Sequence, residues 1–248
     1  MVKYRNVNSN YRGDFMLKAN VVEVKDLNSS IIRGMFELMN ENYDNMSFER
    51  FNKDLLQKQW VILLMDDNGN IQGFSTLYLT DFLIANESVK VFFSGDTIIA
   101  PRFWGKNNLF EVWGKFVFEK AKEFVESEVY WILISKGYKT YMILPLFFKK
   151  FYPRPNQEIE TSHKKIIDEY CNQNFKDHYD EANGLLVFDG QKDSLKQGVA
   201  DIEERHLKNK YIKYFIEKNS GYINGNELVC IAKIDNDNLS RVGQRVLR

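Results

Sequence analysis

Cysteine is scarce in this sequence: Cys171 and Cys230 are the only two among 248 residues. They lie far apart and in neither a metal-binding nor a redox spacing. That excludes a disulfide framework and a cysteine zinc site, and it points to a reduced, cytoplasmic protein. Histidine is just as sparse, and His163, His178 and His206 share no ligand spacing, so no metal is expected. Net charge is absent, with 34 basic residues against 34 acidic ones, which argues against a nucleic-acid partner. No uninterrupted apolar run reaches the roughly 20 residues that a membrane-spanning helix needs. The N-terminal Met1-Val-Lys-Tyr-Arg-Asn6 carries no apolar signal-peptide core. Hydrophobic residues make up 44% and aromatic residues 15%, enough for an ordered core.

The apolar periodicity predicts an alternation of strands and helices. Phe15–Val24 reads as a strand, and Ser29 or Ser30 opens a helix in which Ile31, Ile32, Met35, Phe36 and Met39 recur at helical spacing. Ser47 opens a second helix carrying Phe48, Phe51, Leu55 and Leu56. Trp60–Met65 and Ile71–Phe82 read as strands joined by a tight turn, because Asn68-Gly69 tolerates the positive φ angles such a turn needs. Ser88–Ala100 is the next strand along. A loop from Pro101 to Asn107, a helix from about Asn108 to Glu126 and a strand Val129–Ser135 then complete a βαβ unit with two parallel strands. Asn108 and Glu111 have the spacing of a capping box, and Phe110, Trp113, Val117, Ala121 and Phe124 form one apolar stripe.

Later segments read less clearly. Thr140–Tyr152 is expected to be helical, started or kinked at Pro145, and Pro153-Arg-Pro155 ends it. Helices are expected over Gln157–Phe175 and Leu195–Asn219, strands over Gly184–Asp189 and Leu228–Ile234, and a mobile basic tail over Arg241–Arg248. No repeat or convincing linker interrupts the chain. The expected organisation is one domain over 1–248, with a core of about 15–156 completed by the C-terminal helices and last two strands of 157–248.

The junction after strand Ser88–Ala100 is the stretch on which function turns. A strand feeding a loop and then a helix N-terminus presents backbone N–H groups and the positive end of a helix dipole to an anion. The order β-α-α-β-β-β-α-β-α-β-β resembles that of the GNAT superfamily, the Gcn5-related N-acetyltransferases, as a divergent member. The stretch Ile99-Ala-Pro-Arg-Phe-Trp-Gly-Lys106 is similar to that family's coenzyme A pyrophosphate loop. The resemblance implies an α/β fold: a central mixed, mostly antiparallel sheet with one parallel βαβ unit and helices on both faces. It implies an acyltransferase that moves an acetyl or other acyl group from acyl-coenzyme A to an amine by direct attack in a ternary complex. Ile98, Ile99 and Ala100 would orient the thioester, and Arg102, Trp104, Gly105, Lys106, Asn107 and Asn108 would hold the pyrophosphate. The loop departs from the family pattern in either register, with Asn107 as the best substitute for a glycine at positive φ.

Asp96 stands on the strand before the loop, where the resemblance implies that an acid can serve as a water-relayed general base; its structural alternative is a polar residue at a bulge beside Gly95. Ser135, at the end of the second parallel strand, sits where sheets of this kind bind ligands. The family's general-acid tyrosine has no clear counterpart, which leaves Tyr138 and Tyr141 as candidates. The acceptor is expected to be a small-molecule or peptide amine. Lys149, Lys150 and Arg154 could attract an acyl carrier protein, and 157–219 could form a lid or a homodimer contact. Two alternatives stay open: transfer of a longer acyl chain or from a carrier protein, and a GNAT-shaped binding protein without catalysis.

Overall fold

The computed structural model of the chain describes residues 5–6, 17–84, 86–105, 107–188, 193–196, 198–199 and 201–248. Strands β1 (Arg5–Asn6) and β2 (Lys18–Glu23) lead to α1 (Ser29–Asn42), β3 (Tyr43–Asp44) and α2 (Phe48–Leu55). A meander of β4 (Trp60–Met65), β5 (Ile71–Ile84) and β6 (Glu87–Ile99) follows, then α3 (Leu109–Ala121) and β7 (Glu128–Ser135). Next come α4 (Tyr138–Tyr141), α5 (Ile143–Phe147), α6 (Thr161–Asn174), β8 (Tyr179–Asp180), β9 (Leu185–Leu186) and β10 (Ser194–Leu195). The chain ends with α7 (Lys210–Lys218), β11 (Glu227–Lys233) and α8 (Arg241–Val246).

Nine strands form one sheet in the order β1-β2-β4-β5-β6-β7-β11-β9-β8, and β10 pairs with β3 in a separate ribbon. Among the described residues only β6 and β7 run parallel; the other neighbours are antiparallel. The expected mixed α/β fold, with a mostly antiparallel sheet and one βαβ crossover, is the fold observed.

The helices divide between the two faces. Register aligns Trp60, Leu77 and Ser94 across three strands. On that face α3 packs, with Phe116 5.3 Å from the Trp60 ring and the Trp113 indole donating to Ser94 at 3.1 Å. On the other face Phe74 meets Phe51 of α2 at 6.2 Å, and Phe93 meets Tyr170 of α6 at 5.4 Å. Burying both faces explains why β4 and β7 read as continuous apolar runs.

Several expectations are corrected at the C-terminal end. The helix expected over Leu195–Asn219 is only α7, because Leu195 belongs to a strand and Gly198 takes a φ of 89°. Asn209 then caps a fresh start by accepting from the Tyr211 and Ile212 N–H groups. Thr140–Tyr152 is not one helix either: α4 and α5 are short, and Tyr152 exchanges backbone hydrogen bonds with Ile231. The tail expected to be mobile carries α8, capped by Ser240, whose hydroxyl accepts the Gly243 N–H at 3.1 Å. A Cβ on Gly243 would lie 2.6 Å from the Phe147 carbonyl oxygen, so glycine permits this close packing. Of the strand expected over Phe15–Val24, Lys18–Glu23 forms, and Phe15 lies outside the described residues, as does Asp189 of the strand expected over Gly184–Asp189.

The feature that positions the site is a wedge in the sheet. Strands β6 and β7 pair from Val89 opposite Glu128 to Ser94 opposite Leu133 and no further. Beyond that point β6 follows β5, while Ser135 at the end of β7 pairs with Leu228 of β11. A bulge starts the divergence: Ser75 faces Thr97 and Leu77 faces Ser94, so Gly95 and Asp96 together oppose Thr76. Glycine is required there, since a Cβ on Gly95 would lie 2.6 Å from the Thr76 hydroxyl oxygen. A bulge of this kind bends its strand and re-aims the extra side chain. Asp96 thus lies in the bulge beside Gly95 that its structural alternative expected.

Candidate functional site

The wedge opens a cavity of about 880 Å³ that passes through the sheet. On the α3 side it is lined by Trp104, Gly105, Asn107, Phe110 and Ile143. On the α2 and α6 side it is lined by Tyr43, Phe51, Asp54, Asp96 and Phe175. Two compartments thus meet at the parting of β6 and β7, where β6 presents an unpaired backbone edge.

Asp96 is the chemically distinctive group of the α2 side. Among the described residues nothing donates a hydrogen bond to its carboxyl or forms an ion pair with it. Burial raises its pKa to about 6; Asp54 and Asp193 push in the same direction, while Lys136 and Lys58 oppose them. An acid poised near neutral pH suits proton transfer from an ammonium.

The surrounding charges are committed to one another. Lys58 pairs with Asp54 at 2.7 Å. Lys136, directly after β7, is held by the Asp193 carboxylate, by the Asp193 carbonyl at 2.9 Å and by Glu227 at 3.5 Å, and it stands 5.3 Å from the Tyr43 ring centroid. Burial alone would lower the Lys136 pKa, but Glu227, Asp193 and Tyr43 outweigh burial and raise it, so this ammonium stays charged.

On the α3 side the loop turns through Gly105 at φ 71°, a left-handed conformation that favours glycine. The Ala100 N–H donates to the Gln72 carbonyl at 2.8 Å, so by strand alternation the backbone groups of Ile99 point the other way, into the wedge. The Ile99 carbonyl accepts the Trp104 indole N–H at 2.8 Å. Lys139 lies over that indole, its Nζ 3.2 Å from the ring centroid, and donates to the Val199 carbonyl at 2.7 Å. Burial lowers the Lys139 pKa.

The expected site residues thus separate. Asp96, Ile98, Ile99, Trp104, Gly105 and Asn107 line the cavity. Ala100 and Asn108 do not, and Ala100 is tied to β5. The capping box does not form: Asn107, not Asn108, accepts the Leu109 N–H at 3.3 Å, and Glu111 pairs with Lys115 at 2.8 Å. Arg102 turns away and donates to Gln72 at 2.6 Å, facing a second cavity beside α1. Lys106 lies outside the described residues. Ser135 is buried and donates to the Gly137 carbonyl at 2.8 Å, which removes it from the site.

Neither tyrosine serves the cavity. Tyr141 is buried and donates its proton to the Pro153 carbonyl at 2.9 Å. The Tyr138 ring packs on His206 with centroids 5.3 Å apart. The residues that sequence reading missed are Tyr43, Asp54, Lys136, Asp193 and Glu227. Only Lys136 carried a usable signal, as the residue just beyond the carboxyl end of a parallel strand. Among the described residues no helix is long and apolar enough to cross a membrane, and no cluster of three or more His, Cys, Asp or Glu could hold a metal.

No family model matches the sequence, and no curated protein matches it. Solved structures match in part. A GNAT family N-acetyltransferase from Escherichia coli in complex with CoA is 10% identical, with a TM-score of 0.36 over 52% of this chain and 67% of its own. A probable N-acyltransferase from Enterococcus faecalis is 15% identical, with a TM-score of 0.40 over 65% of this chain and 44% of its own. A GCN5-related N-acetyltransferase from Kribbella flavida is 7% identical, with a TM-score of 0.39 over 86% of this chain and 64% of its own. The chain therefore spans less than two thirds of the length of the latter two. Every one of these TM-scores is below 0.5, so a functional reading has to rest on the wedge.

Proposed function

We propose that this chain is an acyltransferase that moves an acyl group, most simply acetyl, from acyl-coenzyme A to an amine. The observation that carries the reading is Asp96, turned by the bulge into a cavity at the parting of two parallel strands, without a direct partner among the described residues. The residues on the α3 side fit an extended acyl donor. The β6 edge at Ile99, past the end of its pairing with β7, supplies backbone groups, Gly105 leaves its loop open, and Glu111 in the first turn of α3 is neutralised by Lys115. A bound acyl-coenzyme A would supply the thioester. For a donor to pair with the Ile99 carbonyl, the Trp104 indole has to leave it.

The acceptor, a small-molecule or peptide amine, would enter from the α2 side. Asp96 takes a proton from its ammonium, directly or through a water, and the freed amine attacks the thioester carbonyl. The C–N bond forms as the C–S bond breaks, and the departing thiolate takes up a proton. Neither Tyr138 nor Tyr141 is in place to give that proton. This one fact favours a second reading, a binding protein of the same shape without catalysis.

The pH dependence of transfer separates the two. With a base titrating near pH 6, kcat/KM for acetyl-coenzyme A and a responsive amine should rise about tenfold per pH unit below 6 and level off above it, until the amine's own titration intervenes. Thiol release measured between pH 4.5 and 8 reads this directly. A profile flat through pH 6, or no release with any amine, would count against Asp96 as the base.

A further inference from the structure

Lys136 has no part in the chemistry proposed above, yet it is the most heavily tied charge at the site. Its side chain is only 11% exposed, and it joins pieces far apart in sequence. It follows β7, its partner Asp193 immediately precedes β10, and Glu227 opens β11. The ribbon it steadies is slight: β10 and β3 meet through two residue pairs, Ser194 with Asp44 and Leu195 with Tyr43. Asp193, Leu195 and Tyr43 all line the α2 side of the cavity. So short a ribbon has little stability of its own, and the buried ion pair supplies the anchor.

The same ammonium faces Asp96 as part of an unevenly charged wall. Lining the same cavity as Asp96 are Tyr43 from β3, Asp54 of α2, Lys58 just beyond it, Lys136 after β7, Asp193 before β10 and Glu227, which lies 3.5 Å from Lys136. Asp54 and Lys58 pair with each other, and Lys136 pairs with both Asp193 and Glu227.

We propose that Lys136 is a positioning residue of the acceptor site: it pins residues 193–195 over the cavity and offsets the acidic wall that faces Asp96. The proposal rests on reading Asp96 as the base, but its consequence is electrostatic and can be measured without any reaction. Breaking the Lys136–Asp193 pair from its two ends must move the Asp96 titration in opposite directions. Lys136→Met removes a cation that lowers the Asp96 titration and leaves Asp193 unopposed, so that titration should rise by about one pH unit. Asp193→Asn removes an acid and leaves Lys136 less neutralised, so it should fall by a similar amount. A purely structural role would loosen the ribbon in both variants alike and would predict no such reversal.

The test is a carboxyl-carbon NMR titration of the full-length protein labelled at aspartate, with the Asp96 signal identified by its loss in Asp96→Asn. The expected result is displacement upward in Lys136→Met and downward in Asp193→Asn, with Lys136→Arg close to the parent. Displacement in the same direction in both, or none in either, overturns the proposal. If Lys136→Met fails to fold, Asp193→Asn carries the test, since it removes an acid and must lower the titration. Opposite displacements in a protein that transfers no acyl group would sustain the role of Lys136 while removing the transferase reading.

Discussion

Asp96→Asn should abolish transfer and make the protein more stable. Loss of a positioned general base typically costs 10²- to 10⁴-fold in rate. The stability gain follows from linkage. Asp96 titrates near 6 in the folded protein, above the ordinary carboxylate value near 4, mainly because burial disfavours the ionised form. A raised carboxylate pKa means that the folded state prefers the protonated form. Its contribution to stability is complete below about pH 4 and is lost as pH rises through 6. At pH 7 the parent therefore bears the cost of an ionised, unpartnered carboxylate that the neutral amide avoids. The expected gain is roughly 2 kcal/mol, or about 4–8 °C in Tm for a chain of this size. At pH 4 the difference should vanish. Urea unfolding of both proteins at pH 4 and pH 7.5 measures it. A variant that is inactive and less stable at pH 7.5 would assign Asp96 a structural role and remove it as the base.

The second large effect is expected from Ser94→Ala, one residue before the bulge. The Ser94 hydroxyl oxygen accepts two indole N–H groups, from Trp113 of α3 at 3.1 Å and from Trp131 of β7 at 2.9 Å. Both rings are buried, and their centroids lie 4.3 Å apart. Deleting one oxygen therefore orphans two buried donors, each costing about 1–3 kcal/mol. The sum, roughly 3–4 kcal/mol, exceeds what a Ser-to-Ala change commonly does. The same hydroxyl joins β6, β7 and α3 at the last residue pair before the strands part. Ser94→Ala should therefore lower the urea midpoint sharply at an unchanged m-value. A loss below about 0.5 kcal/mol would mean that the indoles do not depend on this oxygen.

The two residues differ in how far their sequence positions revealed them. The strand carrying both was legible from its apolar alternation, and Gly95 beside Asp96 already suggested a bulge. The whole βαβ order was legible for the same reason, since its apolar periods are local properties of the chain. What the site depends on is mostly not local. Lys136 and Asp193 are joined by folding, and no spacing between them could announce a pair. Trp104 looked like a phosphate-loop residue, yet its indole closes back on Ile99, because strand alternation leaves that carbonyl unpaired. Tyr141 was a reasonable acid by position, but its orientation toward Pro153 depends on packing between α4 and the segment after α5. The C-terminal helix Leu195–Asn219 was overextended because the apolar period of α7 continues into a stretch where Gly198 and the Asn209 cap break it. Local chemistry at those two positions outweighed the period.

The measurement that tests the central claim most directly is thermal unfolding of the purified protein with acetyl-coenzyme A and free coenzyme A, alongside Gly105→Trp. Among the described residues no atom lies within 4 Å of a Cβ placed on Gly105, so a large side chain there would obstruct the loop mouth rather than the core, although the positive φ adds strain. At a hundredfold excess over Kd a ligand stabilises the native state by about 2.7 kcal/mol, a shift of several degrees. The wedge as a coenzyme site predicts that shift for the parent with both ligands and its loss in Gly105→Trp. No shift in the parent with either ligand would contradict it.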